Sequence, residues 1–207
     1  MHSGIRIDLS ERKTLITGAT RGIGKAIAQV FEKAGSKMIL TGTNRSVINE
    51  LNKKEKNKKI IWEYADFSTA KGIKTFIKNL DSDIDICVNN AGINVIKPFN
   101  EYSSEEYEKV INVNQRAAFE IIKKLILSMQ KNSFGRIVNV ASIWSHIGKP
   151  HRSLYSMSKT GLVGLTRSLA IEYAENNILA NSISPGFINT ELTKKSLSKV
   201  EISNLNK

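Results

Sequence analysis

Apolar and polar positions alternate along the chain with two periods, and the switches between them mark out the elements. Short apolar runs recur at Lys13 to Thr17, Lys37 to Thr41, Ile60 to Tyr64, Ile84 to Val88, Arg136 to Val140 and Ile178 to Ile183. Each reads as a buried strand. Between them lie stretches of helical spacing: Gly22 to Ala34, closed by Gly35, then a helix from Arg45, and Thr69 to Leu80. A long helix follows from Ser103 or Ser104 to Gln130, with an interruption at Asn112 to Asn114, and another from Leu154 to Ala174. Strands that alternate with helices predict right-handed crossovers and a parallel sheet covered on both faces. The expected fold class is α/β, a doubly wound parallel sheet in a single domain, residues 1–207.

Composition narrows the class. A chain of 207 residues can bury a sizeable core, and 41% hydrophobic with 24% charged residues is ordinary for a globular protein. The single cysteine, Cys87, lies inside a strand run, which excludes a disulfide framework and fits a reducing, cytoplasmic compartment. His2, His146 and His151 have no ligand spacing, so no metal site is expected. Met1 to Arg6 lacks the apolar core of a leader, and no stretch is long enough to span a bilayer. No membrane partner is expected.

The net charge of +12 gathers at Lys53 to Lys59 and around Lys194, Lys195 and Lys199. No base-reading motif or interleaved aromatic ladder accompanies it. A solvated lysine-rich surface is the reading, and no nucleic-acid partner is expected.

Candidate chemistry sits at two places. Thr17-Gly18-Ala19-Thr20-Arg21-Gly22-Ile23-Gly24 joins the first strand to the first helix, where glycines permit a tight turn and close approach to a pyrophosphate at the helix N-terminus. Tyr155 and Lys159, four residues apart, share one helix face, with Ser142 upstream on a strand end. A phenol titrates near ~10 and is a poor proton catalyst at neutral pH unless a nearby cation favours the phenolate.

Taken in order, these motifs resemble the short-chain dehydrogenase/reductase family, a Rossmann-like group, and in particular 3-oxoacyl-[acyl-carrier-protein] reductases. The matching positions are Thr17 to Gly24, Asp66, Asn89 to Gly92, Asn114, Ser142, Tyr155 with Lys159, and Pro185-Gly186 with Thr190. The resemblance implies an oxidoreductase that transfers hydride between NADP(H) or NAD(H) and a carbonyl or secondary alcohol. Gly18, Thr20, Gly22, Ile23 and Gly24 would cradle the dinucleotide phosphates, Asp66 and Phe67 would meet the adenine, and Asn90, Ala91 and Gly92 would line the adenosine ribose. Lys159 would hold the nicotinamide ribose and depress the Tyr155 pKa. Tyr155 would exchange a proton with the substrate oxygen, Ser142 would position that oxygen, and Asn114 would hold a relay water. Pro185, Gly186, Ile188 and Thr190 would contact the nicotinamide end.

Charge bears on the cofactor. An acid closing the second strand would bind an NAD ribose and repel a 2′-phosphate. Thr41-Gly42-Thr43-Asn44-Arg45 contains none, while Arg21, Asn44 and Arg45 lie where a phosphate would come, so NADP(H) is favoured and NAD(H) kept open. Trp144, Ile147, Phe187 and Leu192 are candidates for an apolar substrate pocket. Ser133 and Asn176 stand where carrier-protein reductases often offer basic residues, leaving the substrate, a small molecule or an acyl carbonyl, unassigned. Relatives assemble through the two long helices, so a homo-oligomer, tetramer or dimer, is expected. Relatives also continue through a further helix and a seventh strand, whereas this sequence ends at Lys207. Two expectations follow: an active reductase whose sheet lacks that last strand, or a catalytically impaired dinucleotide-binding or interaction protein.

Overall fold

The computed structural model of the chain describes residues 7–189. The elements run β1 (Lys13–Ile16), α1 (Gly22–Lys33), β2 (Lys37–Gly42), α2 (Arg45–Lys54), β3 (Ile60–Tyr64), α3 (Ala70–Asn79) and β4 (Ile86–Asn89). Then come α4 (Ser104–Ile111), α5 (Ala117–Lys131), β5 (Gly135–Val140), α6 (Ser153–Glu172) and β6 (Ile178–Ile183). All six strands pair in parallel, in the order β3-β2-β1-β4-β5-β6. The chain reverses its direction of travel across the sheet between β1 and β4. A crevice opens there beyond the strand ends, the usual ligand position in such sheets.

The two-residue period of the strands sorts their side chains onto two cores. Ile39, Leu15, Cys87, Ile137 and Ala180 are register partners across five strands and share one buried cluster with side chains of α3, α5 and α6. One residue further along, Leu40, Ile16, Val88 and Val138 form the neighbouring row, which packs with Ala28, Ile27 and Phe31 of α1. Among the described residues β6 is an edge, and Leu179 and Ile183 on it are exposed.

Local signals explain the helix starts. Asn44 caps α2 by accepting from the Val47 amide at 3.2 Å, and Thr69 caps α3 by accepting from the Gly72 amide at 3.0 Å. Ser103 and Glu106 form a reciprocal capping box at the head of α4. The interruption expected at Asn112 to Asn114 is a widening rather than a break: Asn112–Arg116 form a π-helical turn between α4 and α5. Such bulges redirect side chains and cluster at functional sites. Here the turn buries Asn114 completely against α6.

Candidate active site

The glycine turn is built by backbone geometry. Gly18 adopts φ +66°, open to glycine at little cost, and a Cβ there would stand 3.0 Å from Ala91 Cα. Thr17 Oγ1 accepts from the Asn90 and Ala91 amides, each at 3.0 Å, and Asn90 Nδ2 donates to the Thr17 and Gly18 carbonyls at 2.9 and 3.0 Å. The loop after β1 is thus stitched to the loop after β4. Gly24 stands behind this seam, where a side chain would collide with Asn90 Nδ2 and the Gly18 carbonyl. Helix α1 starts from Arg21 with no side-chain cap hydrogen bond, as α6 does from Arg152, and its first residues Gly22 and Ile23 line the crevice. An anion suits that position, which is how the cradle fits a dinucleotide phosphate.

The crevice is a cavity of about 460 Å³. Gly18, Thr20, Arg21, Gly22 and Ile23 line one end of it, Asp66, Phe67, Asn90, Ala91 and Gly92 its floor, and Ser142, Tyr155, Lys159, Pro185, Gly186 and Ile188 the other end. Sequence reasoning missed Gly42, Thr43, Ser68, Ile93, Lys109, Val113, Val140 and Ala141, which also line it. Most of these end a strand or follow one, a position that could have been read as crevice-facing. Lys109 and Val113 carry no such signal, because they arrive on the long helix.

Among the described residues, Gly24, Asn44, Arg45 and Asn114 of the expected site, and Trp144, Ile147 and Phe187 of the expected substrate pocket, are not in the wall. Asn44 is committed to capping α2, and the Arg45 guanidinium stacks over the Tyr64 ring, 3.9 Å from its centroid. Asn114 lies just behind the floor. Its Oδ1 accepts from the Ile93 amide at 2.9 Å, and its Nδ2 donates to the Ile93 carbonyl at 3.0 Å and to Ser158 Oγ at 2.9 Å. Thr190 and Leu192 fall outside the described residues. Phe67 commits its ring to the core, edge-to-face on Phe76 at 5.3 Å. The Asp66 carboxyl accepts from the Ser68 hydroxyl and amide at 2.7 and 2.9 Å, and these bonds hold its pKa below the ordinary value. Cys87 is fully buried and burial pushes its thiol up to about 12, which keeps it protonated and away from any nucleophilic role.

At the far end, Lys159 and Tyr155 lie on one face of α6, with the Lys159 ammonium 5.8 Å from the phenol ring centroid. Burial, the largest influence, pushes the Tyr155 phenol above its ordinary value, while the Ser142 hydroxyl and the buried Arg152 pull it down. The Lys159 Nζ is buried and donates to the Val140 carbonyl at 2.7 Å, and burial lowers its own pKa to about 8. The Gly92 floor makes room for it, since a Cβ there would stand 3.3 Å from Lys159 Nζ. Beneath, Asn89 Nδ2 donates to Asn139 Oδ1 and Asn139 Nδ2 to Thr166 Oγ1, both at 2.8 Å, tying β4 and β5 to α6. A hydroxyl, a phenol and an ammonium on one wall can bind a substrate oxygen and exchange a proton with it. Among the described residues no cluster of His, Cys, Asp and Glu has metal-holding geometry, and no helix is long and apolar enough to cross a membrane.

Comparison with known proteins agrees with this fold. The profile of the family described as short chain dehydrogenase matches residues 12–201. The 3-oxoacyl-[acyl-carrier-protein] reductase of Aquifex aeolicus is 40% identical over 195 residues, covering 91% of this chain and 79% of the relative. That of Rickettsia conorii is 38% identical over 189 residues, covering 91% and 78%. Among solved structures, 4-hydroxyisoleucine dehydrogenase complexed with NADH superposes with a TM-score of 0.85 at 32% identity, covering 95% of this chain and 82% of the other. A gluconate 5-dehydrogenase from Burkholderia cenocepacia in complex with NADP and tartrate gives 0.82 at 25% identity, covering 97% and 80%.

Proposed function

The chain belongs to the short-chain dehydrogenase family, and from that membership we propose that it reduces a ketone, or oxidises the matching secondary alcohol, with Tyr155 as the proton-exchanging residue. Proteins of this kind are NAD(P)-dependent oxidoreductases acting on CH–OH groups. The observation that carries the reading is the shared wall of Ser142, Tyr155 and Lys159 at the far end of a cavity whose near end is the glycine turn.

A bound nicotinamide dinucleotide supplies or accepts the hydride at the substrate carbon. The chain's own residues handle the oxygen. Ser142 Oγ donates to it and fixes its position, and Tyr155 Oη delivers a proton in reduction or removes one in oxidation. Lys159 presents its charge to the phenol and the nicotinamide ribose. Asn114, through its bonds to Ile93 and Ser158, sets the height of the floor, and we assign it the water through which Lys159 exchanges protons. Gly18, Gly22 and Ile23 hold the phosphates, with Gly24 keeping the turn closed.

The cofactor is NADP(H) in this reading, because β2 ends at Gly42 and is followed by Thr43 with no carboxylate, and Arg21 lines the same cavity. Similarity to 3-oxoacyl-[acyl-carrier-protein] reductases makes acyl thioesters one substrate class to screen, and the dehydrogenases among the structural neighbours make small hydroxy compounds another. A second copy of the chain is the proposed partner. Leu127 of α5 and Ile171 of α6 are 72% and 83% exposed, and covering such side chains favours self-association. Light scattering on the purified chain reads that state directly.

Replacing Tyr155 with Phe tests the central claim. Turnover should fall by at least a thousandfold while NADPH fluorescence titration stays saturable with an unchanged midpoint. Turnover within tenfold of the parent would overturn the reading.

A further inference from the structure

One hydroxyl joins the loop after β4 to the head of α6, the helix that carries Tyr155. Tyr102 follows a 3-10 turn, Phe99–Glu101, and precedes Ser103, the capping residue of α4. From there its Oη donates to the Val95 carbonyl at 3.1 Å and to the His151 carbonyl at 3.2 Å. The Val95 side is a fixed abutment. Ile93, two residues earlier, is pinned by Asn114 through both its amide and its carbonyl, and Lys97, two residues later, meets Glu106 of α4 at 2.6 Å. The His151 side is a turn that needs holding. His151 adopts φ +64°, a left-handed conformation that is costly for a residue with a Cβ. This turn leads the chain into α6, where the Ser156 amide donates to the Arg152 carbonyl at 2.8 Å. Arg152 is 4% exposed, and three residues before Tyr155 it shares that residue's helix face.

We propose that Tyr102 is a positioning residue for the reaction: by bridging the Val95 and His151 carbonyls it holds the left-handed turn from which Arg152 presents its charge to Tyr155. This rests on the reductase reading, in which Tyr155 exchanges the proton, and extends it to a residue outside the cavity wall. A guanidinium beside a phenol favours the phenolate. Burial raises the Tyr155 pKa, and the Ser142 hydroxyl and the Arg152 charge oppose that rise. The pull of a charge falls with distance, so its size depends on where the turn puts Arg152. The other groups that face Tyr155 are held from elsewhere. Ser142 Oγ accepts from the Trp144 amide at 3.3 Å, and Lys159, 5.8 Å from the phenol ring centroid, donates to the Val140 carbonyl at 2.7 Å. Loss of the Tyr102 hydroxyl therefore reaches the phenol through Arg152.

The test follows the Tyr155 phenolate by ultraviolet absorbance as pH rises, without turnover. Subtracting the curve of a Tyr155→Phe variant from that of its parent isolates Tyr155 among the five tyrosines. The same subtraction is made in a Tyr102→Phe background, with circular dichroism confirming a folded chain across the range. Tyr102→Phe keeps the ring and removes only the hydroxyl, and should move the Tyr155 midpoint up by about half a pH unit or more. In an Arg152→Gln background, or Arg152→Met if the amide unfolds the chain, Tyr102→Phe should move it by no more than about 0.2 unit. A midpoint unmoved by Tyr102→Phe overturns the proposal. So does a midpoint moved equally with and without Arg152, which would make Tyr102 a strut and nothing more. A midpoint that moves as expected in a chain that reduces no carbonyl would sink the reductase reading alone. Turnover by the parent with an unmoved midpoint would sink this one.

Discussion

Lys159 Nζ donates to the carbonyl of Val140 at 2.7 Å from a position only 3% exposed. Burial lowers this ammonium from 10.5 to about 8. A lysine depressed in the folded state binds fewer protons there than in the unfolded chain between those two values, so its contribution to stability rises with pH across about 8 to 10.5. Below pH 8 its full cost is present, on the order of 3 kcal/mol. Chemical denaturation of parent and Lys159→Met without cofactor should show a stability difference that shifts toward the parent as pH rises through this window. A difference that does not move with pH would contradict a buried, charged Lys159.

The phenol at Tyr155 is pulled two ways. Burial raises its pKa, while the Ser142 hydroxyl and the Arg152 guanidinium lower it. Removing either should let burial dominate further. In the oxidation direction, where the phenolate is the proton acceptor, the rising limb of the pH–rate profile should move to higher pH in Ser142→Ala and in Arg152→Gln. Arg152 is buried one helical turn ahead of Tyr155, so a silent Arg152→Gln profile would show that its charge does not reach the phenol. Only Ser142→Ala should also lower the plateau rate, since Ser142 touches the substrate oxygen in the proposed mechanism and Arg152 does not.

Asn114 ties three segments together from inside the π-helical turn. Asn114→Ala leaves the Ile93 amide and carbonyl and the Ser158 hydroxyl without this partner. Each buried polar group left unmatched costs about 1–3 kcal/mol. A loss of several degrees in Tm should accompany a fall in turnover of tenfold or more. Full activity with an unchanged Tm would mean that the turn is held by other contacts.

How much of this was legible in the sequence depended on whether the signal was local. The strands showed because Leu15 and Ile16, or Cys87 and Val88, alternate between two cores and must both be apolar. The glycine turn showed because Gly18 needs a positive φ that other residues reach only at a cost. The widened turn at Asn112–Arg116 did not show its form, since Asn114 is drawn inward by Ile93 and Ser158, groups distant in sequence. The sequence placed Arg45 after β2 but did not show its stacking on Tyr64 at the end of β3. It paired Lys159 with Tyr155 on one helix face but did not show the Val140 carbonyl of β5 that Lys159 meets. In each case the unseen partner lay on another strand or helix.

That difference between Arg21 and Arg45 makes the cofactor preference testable residue by residue. Arg21 lines the cavity end at which α1 begins, beside Gly42 and Thr43, whereas Arg45 rests on the Tyr64 ring. Arg21→Ala should weaken NADPH at least tenfold in a fluorescence titration and leave NADH within about twofold, because a guanidinium distinguishes the two only through the 2′-phosphate. Arg45→Ala should change neither by more than about twofold. Thr43→Asp, which places a carboxylate where β2 meets the cavity, should invert the order by repelling the phosphate and binding the ribose hydroxyls. Tighter NADH binding by the parent itself would assign the Gly42–Thr43 corner to an unphosphorylated ribose and leave Arg21 to the pyrophosphate. Equal losses for both cofactors in Arg21→Ala would point to that second arrangement as well.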